Sequence, residues 1–187
     1  MIVSRILPFA KSLIRSHVAA DSVVIDATCG NGHDTLFLAK LVPHGHVYGC
    51  DIQADAISHT QEKVQSFDHV TLFQVGHEDI IAHIPESHRN QIHAAIFNLG
   101  YLPKGNKRIV THASTTITAI ERIFEVLQPE GIIVLVVYPG HEEGAIESRA
   151  LIDYLSTFDQ QLGHVIKYEF INQQNQPPYV VAIEKRA

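Results

Sequence analysis

Apolar positions fall into two alternating kinds of segment along this chain. Some are short β-branched runs. Others repeat every three or four residues. Ile6, Leu7, Ala10, Leu13, Ile14 and Val18 have helical spacing, so residues 4–19 predict a helix, with Pro8 tolerated near its start. Val23-Val24-Ile25 then reads as a buried strand, followed by a helix over 33–41. The alternation continues with a strand over 46–51 and a helix over 54–67. A strand over 70–75 and a short helix over 76–84 follow, then a strand over 93–98. Ser114 or Thr115 is placed to cap a helix running to Leu127, with Ile117, Ile120, Ile123 and Phe124 facing inward. Pro129-Glu130-Gly131 predicts a turn before the wholly apolar strand 132–137. A helix over 144–158 and strands over 164–172 and 179–185 complete the chain, the last two joined by a polar connection over 173–178. Strands that alternate with helices in this way predict an α/β fold with a mostly parallel sheet and helices on both faces.

The tightest turn in this pattern is the one to examine for chemistry. The run Asp26-Ala27-Thr28-Cys29-Gly30-Asn31-Gly32-His33-Asp34-Thr35 joins the first strand to its helix. Gly30 and Gly32 let the backbone turn sharply and let a ligand approach, and the helix behind them aims free N–H groups at the turn. The dinucleotide fingerprint needs a third glycine where this chain has Thr35, and Asp34 disfavours a pyrophosphate there. A positively charged cofactor suits the turn better. The pattern Asp26-x-x-x-Gly30-x-Gly32 resembles motif I of class I S-adenosylmethionine-dependent methyltransferases. That resemblance makes Asp26, Gly30, Asn31, Gly32 and Asp34 candidate cofactor residues. A purely structural strand-to-helix turn is the plain alternative.

The other strand ends are read against that site, because ligands of open α/β sheets sit at the carboxyl ends of the strands. Asp51 lies 21 residues beyond Gly30, where an acid accepts hydrogen bonds from ribose hydroxyls. Gln53 is placed to reach the same sugar or the adenine edge. Asp51 also suits capping of the next helix. At the end of the third strand His77, Glu78 and Asp79 are candidates for the adenine, and Asp79 equally suits a helix cap. The fourth strand ends Asn98-Leu99-Gly100-Tyr101-Leu102-Pro103. Asn98 would face the transferred methyl and accept a hydrogen bond from an incoming amine. Gly100 allows close approach, and Tyr101 offers a ring on which a base can stack. This is similar to the Asn-Pro-Pro-Tyr motif of amino-group methyltransferases, without its two prolines. Lys104, Lys107 and Arg108 follow and suit phosphate contacts. The fifth strand ends Tyr138-Pro139-Gly140-His141, putting Tyr138 and His141 on the same rim. His141 is placed to take a proton, to hold substrate, or simply to begin a helix.

Composition narrows the partners. At 187 residues, one domain over 1–187 is expected. The charged fraction of 18% and hydrophobic fraction of 45% are ordinary for a globular protein. No apolar run is long enough for a membrane span, and Arg5, Lys11 and Arg15 interrupt the first helix, so neither membrane nor export is expected. With only two cysteines, Cys29 and Cys50, the expected location is cytoplasmic. The net charge of −6 argues against tight non-specific binding of duplex nucleic acid but allows a local basic patch on one structured RNA. Arg5, Lys11 and Arg15 would be such a patch, or an ordinary solvated face. The 13 histidines are scattered without zinc-ligand spacing, so no metal is expected. The oligomeric state is open, with a homodimer among the alternatives.

The motifs at 26–35, 98–103 and 138–141 together resemble one family, the small bacterial single-domain methyltransferases labelled ribosomal-RNA methylases. The resemblance covers nearly the whole chain. It implies a Rossmann-like class I methyltransferase with a seven-stranded sheet closed by a C-terminal antiparallel strand pair, using S-adenosylmethionine. It also implies a substrate: the amino group of 5-aminomethyl-2-thiouridine at the wobble position of tRNA, met in the anticodon loop. Asn98 and His141 are then the catalytic candidates, Asn98 also bordering the cofactor. Gly100, Tyr101, Lys104, Lys107, Arg108, Tyr138 and His141 become the substrate-binding candidates. Two alternatives remain: methylation of ribosomal RNA or a small metabolite, and a Rossmann nucleotide-binding module that transfers no methyl group.

Overall fold

A computed structural model describes residues 2–100 and 111–187. Tyr101, Lys104, Lys107 and Arg108 lie outside the described residues. The strands are β1 (Val23–Asp26), β2 (His46–Cys50), β3 (Val70–Phe73), β4 (Ile92–Asn98), β5 (Leu127–Val137), β6 (Gly163–Tyr168) and β7 (Tyr179–Lys185). They form one sheet in the order β3, β2, β1, β4, β5, β7, β6. β1 to β5 are parallel, and β7 runs antiparallel between β5 and β6. The helices are α1 (Ile6–His17), α2 (His33–Leu41), α3 (Ala54–Val64), α4 (Ile80–His83), α5 (Glu86–Arg89), α6 (Ala113–Val126) and α7 (Glu142–Ser156). No described helix is long and apolar enough to cross a membrane.

The period-two alternation of the strands builds two cores. Ile25, Ala95, Phe97, Ile133 and Leu135 face α6 and α7, with Ile120, Ile123, Leu151 and Leu155 packed on them. Val24, Val47, Ile96, Val134 and Val136 face the opposite side, covered by Ile6, Ala10 and Ile14 of α1 and Leu38 and Ala39 of α2. The chain winds outward from β1 in one direction and from β4 in the other, so the order reverses between them. That crevice is where ligands of such sheets bind.

Several boundaries differ from the sequence reading. α6 starts at Ala113 with His112 at its N-cap position, and no side chain caps it. Thr115 instead lies in the first turn and donates to the His112 carbonyl at 3.0 Å, so neither Ser114 nor Thr115 serves as cap. The expected turn at Pro129-Glu130-Gly131 is a bulge within β5, whose pairing with β4 passes from Leu127 to Ile132. Glu130 takes φ 61° there. Asp79 has no side-chain capping bond and pairs with Arg122 of α6 at 3.0 Å. α5 has no counterpart in the sequence reading.

Candidate functional site

A cleft of about 1120 Å³ lies over the carboxyl ends of β1, β2, β4 and β5. Its floor is the glycine turn. Residues 27–31 line it, and Gly32 stands just behind at φ 73°, opening α2. Asp51 and Gln53 border one end, together with Ile52, Gly76, His77 and Glu78. Asn98, Gly100, Tyr138 and His141 border the other. Asn31 and Asp34 also line it, so most candidates from both halves of the sequence reading share one cavity.

Asp26 is not in the cleft wall. It is buried beneath the turn, where its carboxylate accepts the Thr28 N–H at 3.2 Å and the Thr35 hydroxyl at 2.6 Å. Burial, with the charge of Asp34 second, raises its pKa from 3.8 to about 7. Its place is under the turn, holding its shape. Asp51 holds the turn from the opposite side. One oxygen accepts the Gly30 N–H at 3.0 Å and the other the Gln53 N–H at 3.0 Å. Asp51 is not the N-cap of α3, a position that Gln53 takes; it braces the residue at that position and lines the cleft. Cys29 and Cys50 are free and buried, and burial pushes both thiols well above the ordinary range. They are small packing residues.

At the other end the strands converge. The Asn98 N–H donates to Thr28 Oγ1 at 2.6 Å, tying the end of β4 to the glycine turn. The Asn98 side-chain nitrogen donates to Asp34 Oδ2, and its oxygen faces the Tyr138 hydroxyl at 3.5 Å. Burial and the Asp34 charge hold the Tyr138 pKa above its usual value, so it remains a donor. His141 takes the N-cap position of α7 without a side-chain capping bond.

Three features of the site escaped the sequence reading. Leu7 and Lys11, one turn apart on α1, line the cleft, and Lys11 Nζ pairs with Asp34 Oδ1 at 2.8 Å. Residues 175–178, between β6 and β7, form another wall. Glu147 of α7 is buried and accepts the hydroxyls of Thr111 at 2.5 Å and Thr116 at 2.8 Å. Thr111 in turn accepts the Gly100 N–H at 2.9 Å and donates its own N–H to the Gly100 carbonyl at 3.0 Å. Burial raises the Glu147 pKa against the lowering effect of these hydroxyls. A signal existed: Glu147 lies on the stripe with Leu151 and Leu155 that an amphipathic helix buries. His77 sits nearby with its pKa lowered by burial, which leaves the ring a neutral hydrogen-bonding group.

Residues 47–184 match the family model described as "Putative rRNA methylase". The chain belongs to this family. Among curated proteins, it is 37% identical over 174 residues to the chloroplastic tRNA (mnm(5)s(2)U34)-methyltransferase of Arabidopsis thaliana. That alignment covers 87% of this chain but only 63% of the plant protein. Among solved structures, a protein from Clostridium thermocellum described as a "putative rRNA-methylase" superposes with TM-score 0.94 at 40% identity, covering 99% of this chain and all of that one. A protein from Streptococcus mutans described as "a putative methyltransferase", solved in complex with S-adenosylhomocysteine (SAH), gives TM-score 0.89 at 36% identity, covering 98% and 99% of the two chains. The Rossmann-like class I methyltransferase fold implied by the sequence motifs is therefore the fold of this family member, antiparallel closing strands included.

Proposed function

We propose that this protein transfers a methyl group from S-adenosylmethionine to the amino group of 5-aminomethyl-2-thiouridine at the tRNA wobble position, giving 5-methylaminomethyl-2-thiouridine. The observation that carries the reading is Asn98. It ends β4 directly beside the glycine turn and lines the cleft, its side-chain oxygen on the side of Tyr138, another lining residue. The Arabidopsis relative, named for this modification, supports the choice of substrate.

The cleft fits the cofactor. Asp34, Asp51 and Glu78 outnumber Lys11 among the lining charges, which favours a cation. Asp51 and Gln53 would meet the ribose, His77 and Glu78 the adenine edge, and the exposed Ile52 a base face. The cofactor supplies an electrophilic methyl carbon on a sulfonium. The residues at the β4 and β5 ends then have three tasks: to align, desolvate and deprotonate the acceptor. An alkyl ammonium resembles lysine, with a solution pKa of roughly 10, and must lose a proton before its lone pair can attack. Desolvation in the cleft lowers that value. In this reading His141 receives the proton and the Asn98 oxygen orients the neutral amine; both residues line the cleft. The N–C bond forms as the C–S bond breaks, its electrons passing to sulfur. Tyr138 offers a ring beside the acceptor, and an anticodon loop presents its base at little unstacking cost.

The test is methylation of tRNA from cells lacking the final wobble modification, with ribosomal RNA from the same cells in parallel. Nucleosides are read by mass spectrometry. Appearance of 5-methylaminomethyl-2-thiouridine, lost with Asn98→Ala, supports the reading. Methyl transfer to ribosomal RNA alone overturns it in favour of the activity for which the family is labelled.

A further inference from the structure

A charged pair, Lys11 and Asp34, stands beside Asn98. Lys11 comes from α1, Asp34 from the first turn of α2 and Asn98 from the end of β4. Lys11 Nζ lies 2.8 Å from Asp34 Oδ1, and Asp34 Oδ2 receives the Asn98 side-chain nitrogen. The Asp34 side chain is only 12% exposed, so this contact is largely shielded from water.

An amide can face a neighbour in two ways that differ by a flip. A carboxylate paired with an ammonium can only accept hydrogen bonds, so the amide nitrogen must point to Asp34. The amide oxygen is then left facing Tyr138 and the cleft. In the opposite flip two oxygens would meet, and a donor would face the acceptor. Asp34 itself has both oxygens engaged by the chain's own groups.

We propose that Asp34, held by Lys11, is a positioning residue that locks the Asn98 amide with its oxygen toward the methyl acceptor, so that the site selects acceptors bearing an N–H donor. This rests on the role of Asn98 given above and deepens it. A neutral amine satisfies the locked oxygen and keeps its lone pair for the methyl carbon. A carbonyl oxygen or ring nitrogen without hydrogen cannot donate to that oxygen, which then keeps only the Tyr138 hydroxyl at 3.5 Å, and such an acceptor binds more weakly. The pair thus distinguishes acceptor classes without touching the acceptor.

Three readouts test this in the purified full chain: Asn98 side-chain amide resonances in isotope-labelled protein, SAH affinity by calorimetry, and methylation of the undermethylated tRNA. The wild-type Asn98 amide is expected to show one low-field, slowly exchanging proton, absent in Asp34→Leu and weakened in Lys11→Met. Asp34→Asn is expected to lower kcat about 10²-fold, the scale of a misplaced reacting group, and SAH affinity by a much smaller factor, because both Asp34 oxygens are taken by Lys11 and Asn98. The exchanged pair Asp34→Asn with Asn98→Asp restores an acceptor oxygen facing the cleft and is expected to exceed either single variant in kcat. An unchanged amide proton overturns the proposal. So does a loss of SAH affinity matching the loss of kcat, which would make Asp34 a cofactor ligand. If the wild type methylates no tRNA, the substrate reading fails. The proposal then stands or falls on the amide resonance and the SAH affinity, neither of which needs an acceptor.

Discussion

Thr35 Oγ1 donates a 2.6 Å hydrogen bond to Asp26 Oδ2, and both residues are buried. Thr35 occupies the position of the third glycine in a dinucleotide fingerprint. The residue that departs from that fingerprint is therefore the one that holds the buried acid under the turn. The Asp26 carboxyl titrates near 3.8 when unperturbed and near 7 in the fold. Between these values the folded state binds the proton more tightly than the unfolded chain. Stability from this group is fully present below the unfolded value and is lost as the pH rises toward about 7. The slope is at most about 1.4 kcal/mol per pH unit. Urea denaturation of wild type and Asp26→Asn across this range is expected to show the slope in the wild type and a flatter profile in the variant.

Asp51→Ala removes the acceptor for the Gly30 N–H and a carboxylate from the cleft wall, the one proposed to meet the ribose. Hydrogen bonds to a charged group are worth about 1.5–3 kcal/mol. SAH affinity measured by calorimetry is expected to fall about 10- to 100-fold, with Asp51→Asn intermediate because it retains one acceptor oxygen.

Gly32 stands at φ 73°, and a Cβ there would meet Thr60 Cα at 2.8 Å. Gly32→Ala combines left-handed strain with a clash against the backbone of α3. The expected cost is about 2–3 kcal/mol, read as a lowered thermal midpoint. Thr60→Ala in the same chain is expected not to restore it, because the obstructing atom is Cα.

Lys185 on β7 donates to the carbonyls of Phe124 at 2.8 Å, Glu125 at 3.1 Å and Leu127 at 2.8 Å. It thereby satisfies the otherwise open C-terminal end of α6. Lys185→Met keeps the apolar stem and loses the cap. A loss of about 1–2 kcal/mol is expected in urea unfolding.

Glu147→Leu leaves the Thr116 hydroxyl buried without its carboxylate, and about 2–4 kcal/mol of stability is expected to be lost. Glu147→Gln retains one acceptor oxygen and is expected to lose about half as much. The urea midpoints of the two variants check the order.

The sequence by itself determined most of the secondary elements and their faces, because burial on a sheet or helix imposes a period that residue types must obey. β1 and β7 show this well, their alternating residues entering the two cores on either side of the sheet, while α2 buries Leu38 and Ala39 in one of them. It also determined the glycine turn and the strand-end residues Asp51, Asn98, Tyr138 and His141, because parallel strands bring their carboxyl ends to one rim. Tertiary structure alone decided which of those side chains are free to meet a ligand. Asp26 carries the first acid of the motif, yet burial and Thr35 turn it inward. Lys11 stands 23 residues before Asp34 in the sequence, and only the packing of α1 on the sheet brings the two together. Glu147 meets Thr111 and Thr116 only because α7 lies beside α6. Hydrogen bonds and ion pairs of this kind depend on distances of a few ångströms between distant segments. Local periodicity carries no record of those distances, so the orientation of Asn98 came from the fold.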